Sequence, residues 1–331
     1  MKDKLITIIG GSGFVGTNLC KLLASQDLPF EIIDLKASKS FPNLTKIADI
    51  RNLDSLEKTI TGNIVVNLAA VHRDDVENKQ DYYDTNVNGM ENVIKVCEKR
   101  NITKIIFTSS VAVYGFTNNL TGENGKINPF NEYGSTKYLA EERLRSWLGR
   151  KKNERSLIII RPTVIFGEGN RGNVYNLLKQ IASGKFIMIG AGDNIKSMAY
   201  VKNVVEFIYQ CIKSDLNYGL FNYVDTPDMN MLHLCNLVKD KIKKRRIKFS
   251  LPMWIGIMIG FCFDLLSKLT KRNFPISSIR VKKFCASSHF SSSKERLKGF
   301  KPPLSLSKAL DLTIQNEIIN PDPGSEIFYT E

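Results

Sequence analysis

Tyr133 and Lys137, in the stretch Tyr133-Gly-Ser-Thr-Lys137, are spaced so that a helix would carry a phenol and an ammonium on one face, a single turn apart. A phenol ionises near pH 10, too high for a base at neutral pH. A cation beside it favours the phenolate, and the chemistry then open to the pair is proton transfer to and from a hydroxyl. Alone, the spacing recurs by chance as a surface pair. Ser109-Ser110 strengthens it, because it closes a β-rich run about twenty residues earlier, at the carboxyl edge where parallel sheets place their chemistry. The Ser110 hydroxyl could share a substrate oxygen with the tyrosine. Asn86, in YDTNVNG, either orders water behind the lysine or ties backbone.

A second group of residues could hold a phosphate. Gly10-Gly11-Ser12-Gly13-Phe14-Val15-Gly16 follows the run LITIIG (5–10) and opens the periodic segment FVGTNLCKLLAS (14–25). Glycines there allow a tight turn and close approach of backbone to a pyrophosphate, and a helix N-terminus offers free N–H groups. Asp34 closes the next run, FEIID (30–34), where a carboxylate would accept from the adenosine ribose hydroxyls. It would also repel a 2′-phosphate, favouring NAD over NADP, although Lys36 softens that preference. Asp49, in ADIRN, either meets the adenine amino group or sits in a solvated turn.

The elements that must position these residues alternate in the first half of the chain. Strands are expected at 5–10, 30–34, 63–70, 104–110 and 156–162, and helices at 14–25, about 82–100 and about 133–148. This rhythm predicts an α/β fold with a doubly wound parallel (Rossmann) sheet. Beyond Arg161 the elements shorten and Gly, Pro and Asn become frequent. Residues 1–165 are therefore expected to form the dinucleotide-binding domain, with later re-entry of the chain left open, and residues 166–331 mainly a smaller α/β substrate domain.

Six cysteines without a C-x-x-C pair and only three histidines argue for free thiols in a reducing compartment and against a metal site. The N-terminal apolar run is too short for a signal peptide, and the longest uncharged run, Leu251 to Phe263, is shorter than a spanning helix requires. A cytoplasmic enzyme is expected. The net charge of +14 is concentrated in KDKIKKRRIK (239–248). Anionic substrate, anionic lipid or a solvated helix face would each account for it; nucleic acid is disfavoured for want of a recognition motif. Residues 241–272 join basic flanks to an apolar middle, which either lies in a membrane interface or is buried as a helix of the substrate domain.

Taken together and in order, GGSGFVG, DIR, NLAA, TNVNG, SSVAVYG, YGSTK and RPTVIFG resemble the extended short-chain dehydrogenase/reductases, specifically the NAD-dependent nucleotide-sugar epimerase/dehydratase branch, over residues 4–210 at least. The resemblance implies that Tyr133 is the acid/base, Lys137 its partner and Ser110 the accompanying hydroxyl. It also implies that Ile50, Leu68, Ala69 and Ala70 wall the cofactor, and that the enzyme is a homodimer through paired helices, one bearing Tyr133. The 4,6-dehydratases of this branch carry an Asp-Glu pair after the catalytic hydroxyl residue; Val111 and Ala112 stand there in this chain, which disfavours dehydration. A 4-epimerase of UDP-hexose or UDP-N-acetylhexosamine, working through a transient 4-keto sugar, is expected; the alternatives are a 4-keto-sugar reductase using NAD(P)H and a non-catalytic NAD-binding regulator. Asn173, Lys196 and Arg280 are expected on the nucleotide diphosphate, and His72 and Arg73 either at the pocket mouth or in a plain loop. Two departures touch the substrate side: Val164 replaces the asparagine of UDP-hexose epimerases, and Lys196 replaces an arginine.

Overall fold

The computed structural model describes residues 4–73, 76–117, 119–184, 186–245, 250–270, 277–293 and 297–330, apart from the side chains of Arg280 and Lys283. The chain opens with β1 (Ile6–Ile9), α1 (Phe14–Ser25), β2 (Phe30–Asp34), β3 (Thr45–Ile47), α2 (Leu53–Thr59) and β4 (Ile64–Asn67). It continues through α3 (Gln80–Tyr82), α4 (Gly89–Lys99), β5 (Lys104–Thr108), α5 (Glu132–Arg150) and β6 (Ser156–Pro162). The helix expected from about Tyr82 forms as α3 and α4, joined by a π-helical turn over Tyr83–Asn88.

Strands apolar at consecutive positions can hide both faces only in a middle layer. Successive residues accordingly feed two cores. Ile8, Ile32, Val66, Ile106 and Ile158 face α1 and the later helices, while Ile9, Ile33, Val65, Ile105 and Leu157 face α4 and α5. The sheet is parallel throughout and has seven strands, in the order β11-β6-β5-β4-β1-β2-β3. The winding reverses between β1 and β4, and the crevice at the strand carboxyl ends opens there.

The second half runs β7 (Val164–Phe166), α6 (Asn173–Ser183), β8 (Met188–Ile189), β9 (Ile195–Lys196), β10 (Met198–Tyr200), α7 (Val201–Lys213) and β11 (Tyr218–Tyr223). It ends with β12 (Met229–Asn230), α8 (Met231–Lys241), β13 (Ser250–Leu251), α9 (Met253–Thr270), α10 (Ser278–Cys285) and α11 (Leu306–Ile314). β11 returns to the main sheet beside β6, and the remaining short strands pair as β7 with β10, β8 with β13 and β9 with β12. The fold is thus a doubly wound sheet with a smaller α/β portion over its carboxyl edge.

Of the two alternatives for the apolar segment, the buried helix is not what forms: of the residues of α9 only Gly256 and Gly260 are buried. Its length and composition are those of a helix able to cross a membrane.

Candidate active site

The glycine loop forms where β1 must turn back into α1. Gly10 has φ +81°, and a side chain there would lie 2.7 Å from the Ala69 nitrogen; one at Gly16 would run into the Gly10 carbonyl. Gly13 caps α1 without a side-chain acceptor and no acid stands in the first turn, so the helix N-terminus keeps its free donors and its partial positive charge. Asp34 ends β2 and accepts from the backbone nitrogens of Ser12 (2.9 Å) and Leu35 (2.7 Å), which fixes its carboxylate beside the loop.

All of this faces one cavity of about 1030 Å³. Gly10, Gly13, Phe14, Val15, Gly16, Asp34, Asp49, Ile50, Leu68, Ala69 and Ala70 line one part of it; Ser110, Tyr133, Lys137, Asn173 and Lys196 line another. Asn86 does not line it. Its amide is engaged with both backbone groups of Val71 and with the Thr136 hydroxyl (3.0 Å), so it ties the backbone at Val71 to the helix that carries Tyr133. Asp49 is gripped by the Arg51 guanidinium (2.6 Å), which holds its carboxyl below the usual range. The side chain of Arg280 lies outside the described residues. His72 lines the cavity, its Nε2 3.1 Å from the Thr330 carbonyl, whereas the Arg73 carbonyl accepts from the Tyr82 hydroxyl.

α5 positions Tyr133 and Lys137. Asn131 caps it, accepting from the Gly134 nitrogen (2.9 Å), and Gly134 fits against Ala112, leaving no room for a side chain. Tyr133 then meets Ser110, and Lys137 lies one turn on, only 2% exposed. Burial raises the phenol's pKa, opposed by its hydrogen bond with Ser110, and pushes the lysine down to about 7. Burial disfavours the ammonium, so by itself the lysine exerts less pull on the phenol than its spacing suggested. Ser110 also caps the short helical turn Val111–Tyr114 by accepting from the Ala112 nitrogen (3.1 Å).

Beneath the pair sits a buried network. Glu141, one turn beyond Lys137 and fully buried, accepts from Arg161 Nε (2.8 Å) and from Arg145 (2.7 Å). Arg161 also donates to the Tyr114 hydroxyl (2.7 Å), which donates to Asn222 of β11 (2.8 Å). Burying two charges is tolerable because each is saturated with partners.

Several lining residues carry no local sequence signal. Phe116 and Phe130 stack with centroids 4.5 Å apart on the cavity wall, although both are exposed. Ser287, Ser288 and Phe290 arrive from the loop after α10, and the Lys196 ammonium donates to the Ala286 carbonyl (2.5 Å). Burial brings that lysine down to about 8. Tyr329 and Thr330 come from a C-terminal stretch held by hydrogen bonds between Phe328 and Gly169 and between Phe328 and Arg171.

The cavity suits a dinucleotide. A side chain would fill the Gly10 cradle, and the Ser109 hydroxyl, buried on the cavity wall, has no hydrogen-bond partner among the described residues. The fold, the glycine loop and the Tyr133–Lys137 pair define a class, and the sequence comparison agrees. Residues 6–222 match the NAD dependent epimerase/dehydratase family, and the chain belongs to it.

Among its relatives, the N-acetyl-α-D-glucosaminyl-diphospho-ditrans,octacis-undecaprenol 4-epimerase of Escherichia coli O157:H7 is 48% identical over the full length of both chains. The fold matches the UDP-N-acetylglucosamine 4-epimerase of Methanobrevibacter ruminantium M1, in complex with UDP-N-acetylmuramic acid, at a TM-score of 0.72 and 22% identity, covering 95% of this chain and 98% of that one. It also matches the UDP-glucose 4-epimerase of Thermus thermophilus, complexed with NAD, at 0.72 and 17%, with the same coverage.

Proposed function

We propose that the chain is an NAD-dependent 4-epimerase of a diphosphate-linked hexose, most readily an N-acetylhexosamine carried on UDP or on a polyprenol. The observation that carries this reading is the meeting of Ser110, Tyr133 and Lys137 with the glycine loop in one cavity, beside a Val111-Ala112 pair that has no ionisable group. The full-length likeness to the E. coli epimerase favours the N-acetylated sugar and a carrier that need not be a nucleotide.

The chemistry NAD supplies when bound is reversible acceptance of hydride from a sugar carbon. The Gly10–Gly16 loop and the N-terminus of α1 would hold its pyrophosphate, Asp34 its adenosine ribose, Asp49 and Ile50 its adenine, and Lys137 its nicotinamide ribose, with Leu68, Ala69 and Ala70 as walls. Tyr133 takes the proton of the C4 hydroxyl as that carbon loses hydride, and Ser110 steadies the same oxygen. Once the 4-keto sugar has turned over, hydride returns to the other face of C4 and Tyr133 gives the proton back to the same oxygen, so no net oxidation results. Asn86 positions Thr136 and Val71 and thereby the helix that carries the pair. Asn173 and Lys196 face the diphosphate, with Arg280 as a further contact.

Residues 1–165 supply the cofactor half and residues 166–331 most of the substrate half. A homodimer through paired helices that include α5, working in the cytoplasm with peripheral membrane contact through 241–272 and without a nucleic-acid partner, completes the reading.

The test is to identify the cofactor released on denaturation by mass spectrometry and then to offer UDP-N-acetylglucosamine and N-acetylglucosaminyl-diphospho-polyprenol. Bound NAD and a C4 epimer of unchanged mass are expected. Accumulation of NAD(P)+ with consumption of a 4-keto sugar, and no epimer, would replace the reading with a reductase; bound NAD without any turnover would point to a regulator.

A further inference from the structure

Helix α9 is amphipathic the wrong way round for a protein interior. Its small and polar residues face the body: Gly256 and Gly260 are buried, and Asp264 accepts from both the backbone nitrogen (3.1 Å) and the hydroxyl (2.5 Å) of Ser278. A side chain at Gly260 would lie 2.6 Å from the Ser278 backbone, and one at Gly256 would lie 2.7 Å from Ile189, so α9 rides directly on α10 and β8. The outward stripe recurs at helical spacing as Trp254, Met258, Phe261, Leu265 and Leu269, exposed by 63, 56, 56, 60 and 72%.

Charge says what covers such a stripe. The chain leads into α9 through exposed Lys241, Lys243, Lys244 and Arg245, and Lys268 lies near its end. Arg246, Lys248, Lys271 and Arg272 lengthen both flanks in the sequence. An apolar face with an aromatic near one end, between two cationic flanks, fits the plane of an anionic bilayer surface: rings and aliphatics enter the acyl boundary and cations stay among the headgroups. A protein partner would not require cations at both ends.

We infer that α9 is a docking helix for the surface of an anionic lipid bilayer, lying in its plane and turning the substrate end of the cavity toward it. α10, on which α9 rides, leads straight into Ala286, Ser287 and Ser288 of the cavity wall and to the carbonyl that holds Lys196. A sugar diphosphate anchored in that bilayer by a lipid tail would thus meet the site without leaving the membrane. This second step rests on the epimerase reading above; the docking itself does not.

The full chain with its bound cofactor is sedimented with vesicles of equimolar phosphatidylcholine and phosphatidylglycerol at low salt, and Trp254 emission is followed. The only other tryptophan, Trp147, is fully buried and stays constant. A blue shift and co-sedimentation are expected, reversed by alkaline carbonate as for a peripheral protein, with the bound fraction falling about tenfold in the triple variant Trp254→Gln, Leu265→Gln, Leu269→Gln. Sedimentation unchanged in that variant, resistance to carbonate, or a blue shift that follows protein concentration without vesicles would overturn the proposal, the last in favour of a second copy of the chain. Epimer formation in detergent micelles is assayed alongside. Its loss in wild type sinks the catalytic reading alone, whereas wild-type rates in micelles with no vesicle binding sink the docking alone.

Discussion

The ammonium of Lys137 stands 4.3 Å above the ring of Phe107, a residue of β5 packed in the core between the sheet and α5. A ring face is a favourable but weak partner for a cation, and burial outweighs it, leaving the lysine near neutrality.

This gives a signed prediction for stability. The folded protein holds Lys137 at about 7 whereas an unfolded lysine titrates near 10.5, so between those values the unfolded chain binds more protons and stability rises with pH. The penalty is complete below about pH 7 and gone above the unfolded value. Lys137→Met in cofactor-free protein should therefore raise the unfolding free energy at pH 6 by on the order of a few kcal/mol, seen as a higher Tm, and the gain should shrink steadily toward pH 10. A gain independent of pH would show that the lysine is not depressed.

Tyr133→Phe removes the hydroxyl proposed to carry the proton and leaves the ring. Turnover should fall by about 10²- to 10⁴-fold, while the cofactor released by denaturation remains equimolar with wild type. Turnover within tenfold of wild type would remove Tyr133 from the chemistry.

Asp34→Ala should cost NAD roughly ten- to a hundredfold in affinity, the loss of one charge-assisted hydrogen bond, and should raise NADP binding as repulsion of the 2′-phosphate disappears. Calorimetric titration of stripped protein with each cofactor decides it; an unchanged ratio would assign Asp34 to the loop it caps through Ser12 and nothing more.

Arg161→Met leaves Glu141 buried with Arg145 as its remaining cation, and should destabilise the protein by about 3–5 kcal/mol. Adding Glu141→Leu should restore part of that, because a filled apolar site is less costly than a buried carboxylate that has lost its bidentate partner. Chemical denaturation of the single and double variants measures both. If the double variant is the less stable, the pair contributes more than its desolvation.

The parts of the fold written in short-range periodicity were legible. α1, β2 and β6 have the bounds their apolar patterns predict, and the glycine loop, Asp34 and Ser110, at strand ends, meet Tyr133 of α5 in one cavity. Features made by distant pairing were not. Nothing beside Glu141 in the sequence announces its partner, because Arg161 reaches it from β6, and Phe116 and Phe130 become a stacked pair only after the intervening loop closes. The choice between an exposed and a buried apolar segment, which places Trp254 and Leu269 outside, could not be made locally, because a hydrophobic run has the same sequence whether it faces a core or a lipid.

β11 closes the sheet against β6 only after roughly sixty further residues have been made. A ribosome adding about 5–20 residues per second therefore leaves the parallel edge of β6, with its run of isoleucines, open for several seconds on the nascent chain. Early chain release in that interval would yield a protein complete in its glycine loop and acid/base pair yet lacking Asn222, the far end of the buried network, and prone to pair edge to edge.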